Sequence, residues 1–267
     1  MLRGLWLHRR LIWQFAKREI LARYRGSLLG VLWAVITPLL LLAVYSFAFA
    51  GVFGARWTTD PDESPFDYAL IMFAGLLVFN LFAEVVNRSP HLIVGNANFV
   101  KRVVFPLEIF VVAALLSALI NLAIGLAVWT VGWVVLNQAP PPAEGLLLPV
   151  VLLPTLLLTL GLGWLLAALG VFLRDIGHGV VLVTQMLFFA TPIFYSVERV
   201  RQHHPLAARV IAANPLAQVI ESVRQVLIRG ELPDWRAWCA SLAASAAVAV
   251  LGYAFFMKSR RAFADVV

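Results

Sequence analysis

Residues 107–136 read LEIFVVAALLSALINLAIGLAVWTVGWVVL. After Glu108 no charged side chain interrupts the run, and it exceeds the roughly 20 apolar residues that a helix needs to cross about 30 Å of hydrocarbon. Five further stretches have the same character, at about 29–52, 67–86, 146–172, 178–197 and 237–257. The third and fourth spans are longer than required and have room to tilt. The fifth is interrupted by Gln185, Thr191 and Pro192. Pro140-Pro141-Pro142 joins the third and fourth as a stiff connector. Across all 267 residues 62% are hydrophobic and only 13% charged, with mean hydropathy +0.89. Soluble domains carry about a quarter charged residues, so this chain cannot cover a water-facing surface. It reads as an all-α integral membrane protein of six transmembrane helices, 29–257, with no soluble catalytic module. The lone cysteine, Cys239, excludes a disulfide framework and a multi-cysteine metal site.

The cations set the orientation. Fourteen of the 21 Lys and Arg fall in 1–28, 87–106, 173–177 and 258–267. The first loop on the other side is acidic, with Asp60, Asp62, Glu63 and Asp67. By the positive-inside rule both termini are cytoplasmic, 258–267 being a cytoplasmic tail. Six arginines between Arg199 and Arg236 weaken that bias without reversing it. The net charge of +7 fits anionic lipid headgroups better than nucleic acid. Ala48-Phe49-Ala50 has the look of a signal-cleavage site, but the apolar segment before it outruns the roughly 7–15 residues of a signal sequence, so the span is expected to be retained.

Catalysis and ion coupling need ionisable groups at depth, and the span interiors nearly lack them. Glu84 and Glu108 stand at the cytoplasmic ends of the second and third spans and read as headgroup-level residues. The sequence has no P-loop pattern, no nucleophile elbow and no His/carboxylate cluster at ligand spacing. His203-His204 reads as a solvated pair, since neighbours on a helix do not share a face. The chain is therefore expected to be no enzyme and to hold no metal or cofactor, and energy for any transport must come from another subunit.

Five segments carry the remaining information. Residues 5–24, LWLHRRLIWQFAKREILARY, run without Gly or Pro. Arg10, Gln14, Lys17 and Arg18 make one polar face, with Leu11, Ile12, Phe15, Ala16 and Ala22 opposite, as in a helix lying in the interface. A lipid anchor and a partner contact fit it equally. Arg23 and Arg25 come directly before the expected start of the first span, with Ser27 as its N-cap. Two arginines beside a helix N-terminus make an anion site that suits a diphosphate headgroup; plain positive-inside anchoring is the competing reading. Segment 87–106, NRSPHLIVGNANFVKRVVFP, is about five times longer than a passive connector needs and displays apolar residues, which points to docking on a cytoplasmic partner. Within the periplasmic region 198–235, Leu216, Val219, Ile220, Val223 and Leu227 recur at helical spacing after Asn214-Pro215. Residues 215–229 are too short to span and read as re-entrant or interfacial. Finally, Ser117, Asn121 and Gly125 share one face of the third span, read first as a packing seam and second as pore lining. The aromatics Tyr45 and Phe49 in the first span, and Phe188, Phe189, Phe194 and Tyr195 in and after the fifth, offer rings on which sugars stack. Core packing is the competing fate of each ring.

Arg23-Tyr24-Arg25-Gly26-Ser27-Leu28-Leu29-Gly30, running into Trp33, Pro38 and Phe47, resembles the opening of type-2 ABC exporter permeases that move polysaccharides. The resemblance continues at Asn98-Phe99-Val100-Lys101-Arg102-Val103-Val104-Phe105-Pro106, Arg174-Asp175-Ile176, Thr191-Pro192-Ile193-Phe194-Tyr195 and Asn214-Pro215-Leu216. It implies a permease subunit in a bacterial inner membrane that moves lipid-linked polysaccharide from cytoplasm to periplasm, O-antigen lipopolysaccharide first, then capsule or teichoic acid. A drug or small-lipid exporter shares the fold, and a membrane-embedded glycan-modifying enzyme is the rival from another class. The resemblance further implies a second copy of the chain as partner and two separate ABC ATPase subunits holding ATP and magnesium. On it, segment 5–24 is the interface helix, and Asn98, Phe99, Lys101 and Arg102 couple to the ATPase. Arg23, Arg25 and Ser27 sit where an undecaprenyl-diphosphate-linked chain enters, and spans one and five line the conduit. The family's re-entrant gate helices fall in 196–229.

Overall fold

The computed structural model describes residues 6–24, 27, 29–52, 54, 57, 65–100, 105–173 and 175–266. Every regular element among them is helical: α1 (Arg9–Tyr24), α2 (Trp33–Tyr45), α3 (Pro65–Arg88), α4 (Ile109–Asn137), α5 (Leu153–Phe172), α6 (Ile176–Ala190), α7 (Val197–His203), α8 (Pro205–Ala212), α9 (Pro215–Arg224) and α10 (Trp235–Ser259), joined by shorter helical turns.

Four helical stretches are long and apolar enough to cross a membrane: Phe66–His91, Ile109–Asn137, Ala143–Phe172 and Trp235–Ala262. They coincide with the expected second, third, fourth and sixth spans. The expected first and fifth spans form shorter apolar helices, Trp33–Ala48 and Ile176–Ala190. At 1.5 Å per residue α6 is about 22 Å long, and it ends where Thr191-Pro192 turns the chain. α2 contains Pro38, and a π-helical turn, Ser46–Val52, continues it. The third span stops at Gln138, which takes a left-handed conformation (φ 52°) with its N–H on the Val134 carbonyl; the proline run then prevents renewed helix.

α3 is the axis of the molecule. Its side chains Met72, Phe73, Leu76 and Val85 are almost completely buried and form one core with Leu115 and Leu122 of α4 and Val219, Ile220 and Val223 of α9. α9 is thus folded back into the bundle, and its start is set locally: Asn214 caps it by accepting from the Leu216 N–H at 3.0 Å. On the far side α5 lies along α10 over small residues. A Cβ at Gly252 would stand 2.0 Å from the Gly161 carbonyl oxygen, so the backbones touch there. Such contact is the common way to hold helices together in lipid.

α1 lays Ile12 and Ala16 on Ile109 and Ala113 of α4. That face packs on protein, whereas Trp6, Leu7 and Trp13 on another sector stay exposed.

Candidate functional site

Two clusters, at opposite ends of α3, gather most of the residues singled out above, and a third joins α1 to 87–106.

At the α3 N-terminal end the aromatic residues meet. The Phe194 ring lies 5.6 Å from Tyr45 and 5.1 Å from Phe188, while Phe188 lies 5.3 Å from Phe189. Phe79 of α3 backs Phe188 at 5.2 Å. Tyr195 donates its hydroxyl to the Phe189 carbonyl at 3.1 Å, and Tyr68 donates to the Phe194 carbonyl at 2.8 Å. Phe189 is well exposed and Phe79 is buried, so the cluster has an inner layer and a surface of rings. Five of the six expected aromatics are thereby brought together; the side chain of Phe49 lies outside the described residues.

The same end is tied by a residue the sequence reading passed over. Arg224, the last residue of α9, is 1% exposed. Its Nε donates to the Ile71 carbonyl at 3.2 Å, Nη1 to the Pro192 carbonyl at 2.8 Å and Nη2 to the Ile193 carbonyl at 3.0 Å. Its guanidinium lies 4.1 Å from the Trp57 ring centre, an arrangement open to Arg and poorly copied by Lys. Gly75 makes the room: a Cβ there would sit 2.7 Å from Nη2. α9 lies outside the four long apolar helices, and burial pulls Arg224 down to about 10, with Glu221 opposing; it stays charged at pH 7. Asn214 adds a second tie by donating to the Thr191 hydroxyl at 3.0 Å. The turn after α6 and the helix α9 are therefore one unit. A signal existed, since Arg224 continues the Leu216, Ile220 register of the buried stripe.

At the other end Glu84 is the centre. It pairs with Arg23 of α1 and lies 3.7 Å from Arg88. Asn121 donates to both its oxygens, at 3.2 and 2.9 Å. Arg88 also pairs with Glu19 of α1. Glu84 is thus a junction between α1, α3 and α4. Glu108 likewise accepts from Arg260 at 3.2 Å. The face Ser117, Asn121, Gly125 does turn to α3, with Gly125 so close that a Cβ would meet the Leu77 side chain. A cavity of about 590 Å³ opens beside Glu84, bordered by Arg23, Ser27 and Trp33. Arg25 lies outside the described residues.

The third cluster joins α1 to segment 87–106. Phe15 of α1 lies 5.4 Å from Phe99 and 5.1 Å from Phe110, and Phe99 lies 4.8 Å from Phe105. Arg18 covers Phe15 at 4.6 Å and reaches the Asn96 side-chain oxygen at 3.4 Å. Asn98 is exposed beside this cluster, while Lys101 and Arg102 lie outside the described residues. Among the described residues no group of three or more His, Cys, Asp or Glu is placed to hold a metal ion.

Comparison with known proteins covers this whole arrangement. Residues 10–228 match the model of the ABC-2 type transporter family. The chain is similar to the O-antigen export system permease protein RfbA of Myxococcus xanthus, 29% identical over 267 residues, which is 100% of this chain and 99% of that protein. It is also similar to the protein of the same name from Klebsiella pneumoniae, 24% identical over 250 residues, 94% of this chain and 92% of that one.

Proposed function

Because the chain belongs to the ABC-2 type transporter family, we propose that it is the permease subunit of an ATP-driven exporter that carries O-antigen lipopolysaccharide, as a lipid-linked polysaccharide, from cytoplasm to periplasm. The observation that carries this reading is its end-to-end similarity to permeases named for O-antigen export. The membrane is the bacterial inner membrane, and both termini are cytoplasmic. Six spans cross it: the four long helices, α2 lengthened by the turns that keep the chain helical from Gly30 to Val52, and α6 continued by the Thr191–Tyr195 turn. α7, α8 and α9 form the re-entrant periplasmic region.

The subunit is no enzyme. Two ABC ATPase subunits hydrolyse ATP, and they dock on Asn98, Phe99, Lys101 and Arg102; the four-phenylalanine cluster behind Phe99 supports this, since it ties the segment to α1. A second copy of the chain closes the conduit, whose walls the rings of Tyr45, Phe49, Phe188, Phe189, Phe194 and Tyr195 line. Offset ring contacts suit a sliding sugar chain, because stacking on C–H faces is weak and tolerant of position. Arg23, Arg25 and Ser27 receive the undecaprenyl diphosphate, which takes the place of Glu84 on the Arg23 guanidinium.

Deleting the gene and restoring it on a plasmid tests the reading. Without the gene, finished polymer accumulates on its lipid carrier in the inner membrane and surface O-antigen disappears; with it, both return. Unchanged surface O-antigen in the deletion strain overturns the assignment.

A further inference from the structure

The cavity beside Glu84 is assigned no role by the reading above beyond its mouth. It runs between α2, α3 and α4, and about 590 Å³ falls inside the roughly 300–1,000 Å³ typical of small-molecule sites. One wall is a polar stripe: Asn80, Glu84 and Asn87 follow at i, i+4 and i+7 on a single face of α3, a membrane-crossing helix, with Asn121 opposite. Polar groups at that depth face a wet cavity or a ligand rather than hydrocarbon. Two of the four are committed, Glu84 and Asn121 to each other. The other two are not. Asn80 is exposed and its side chain meets no hydrogen-bond partner among the described residues. The Asn87 side-chain oxygen is buried and equally without a partner there.

Charge decides what kind of group belongs inside. Among the described residues that line the cavity, the charged ones are Arg23 and Glu84, and they pair with each other, so the lining itself draws no net anion inward. A carboxamide both donates and accepts, which is what hydroxyl and acetamido groups require. Trp33 at the border supplies an apolar face for a ring. The complementary ligand is an uncharged, hydroxylated ring attached to something anionic that stays at the mouth.

We propose that this cavity binds the first sugar ring of the diphosphate-linked chain, recognised by the side-chain amides of Asn80 and Asn87, while Asn121, by donating to Glu84, holds the opposite wall of α4 against α3. The proposal rests on the reading of Arg23, Arg25 and Ser27 as the diphosphate entry.

The test uses the permease together with its ATPase subunits in nanodiscs, titrated with undecaprenyl diphosphate and with the same lipid bearing one N-acetylglucosamine or one galactose, and read by native mass spectrometry. The wild type binds a sugar-bearing lipid about tenfold more tightly than the bare one, the worth of one or two neutral hydrogen bonds. Asn80→Ala with Asn87→Ala removes that preference and leaves the bare lipid unchanged, which also shows that the variant is folded. Arg23→Ala weakens all three lipids. Equal binding of all three to the wild type, a sugar preference kept by the double variant, or equal weakening of every lipid in it overturns the sugar site. If Arg23→Ala changes nothing while the sugar preference holds, the diphosphate entry fails instead; if no lipid binds the wild type, both fail.

Discussion

Arg224 shows how one side chain can organise an end of a membrane protein. Its three N–H donors reach the carbonyls of Ile71, Pro192 and Ile193; Ile71 lies within α3, whereas Pro192 and Ile193 lie past the end of α6 and have no helical partner waiting. Each buried carbonyl left without a donor costs on the order of 1–3 kcal/mol. Arg224→Met, which keeps most of the volume, is therefore expected to lower the midpoint of thermal unfolding of the detergent-solubilised protein by about 5–15 °C, at roughly 2–4 °C per kcal/mol for a chain of this size. Arg224→Lys recovers only part, because a single ammonium cannot reach three divergent carbonyls. A Met variant as stable as the wild type would remove Arg224 from its place as the tie between α9 and the α6 turn. At this scale the sequence was legible for the rings and for Asn214, whose types announce stacking and capping. It was not legible for Arg224 and Glu84, because their partners are backbone carbonyls or residues 61 and 37 positions distant, Arg23 and Asn121. For Arg224 the trace available was a charge in register with the apolar stripe of Leu216 and Ile220, and for Glu84 it was the spacing from Asn80 and Asn87.

Among the elements, the α5–α10 pair is held by closeness rather than by bulk. Gly161 meets Val248 and Ala249 across the interface, and Gly252 meets Gly161. Ser241, Ser245, Ala249 and Gly252 are buried along the same side of α10. Gly252→Leu pushes the backbones apart and costs about 1–3 kcal/mol or more by overpacking. Its expected mark is a fall in folded protein recovered from membranes, read by size-exclusion chromatography, with export falling in proportion. Gly179, which has open space around it, tolerates Ala and serves as the control; an undisturbed Gly252→Leu protein would refute the seam. The long apolar runs made the four long helical stretches readable as such, since hydrophobic length is a property of composition. α2 and α6 were readable as apolar but not as short, for their lengths are set by Pro38, a π-helical turn and a bend at Thr191-Pro192, which depend on what packs around them. The division of 198–213 into α7 and α8 had no periodic signal to reveal it.

For the molecule as a whole, the proposed transport needs ATPase motion to arrive somewhere, and α1 with segment 87–106 is the proposed place. Phe15, Phe99, Phe105 and Phe110 make a single block, and in the proposed docking it is Lys101 and Arg102, next in sequence after Val100, that supply the charges. Lys101→Glu with Arg102→Glu is expected to leave the amount of permease in the inner membrane unchanged while abolishing surface O-antigen and lowering ATPase co-purification at least tenfold, as reversal of two rim charges does to an electrostatically matched contact. Normal surface polymer in that strain counts against the docking site. α3 then has a further consequence. It is one unbroken helix, and Glu84 and Ile71, its two tie points, stand about 20 Å apart along it. A stiff rod carries displacement without absorbing it, so a shove delivered at the Glu84 knot arrives at the Arg224 knot in the same stroke. If the proposed conduit opens at these two ends, its mouths would not be independent valves but the ends of a single piston, and a polymer longer than the wall is thick would be advanced by repeated short strokes instead of being locked between two doors.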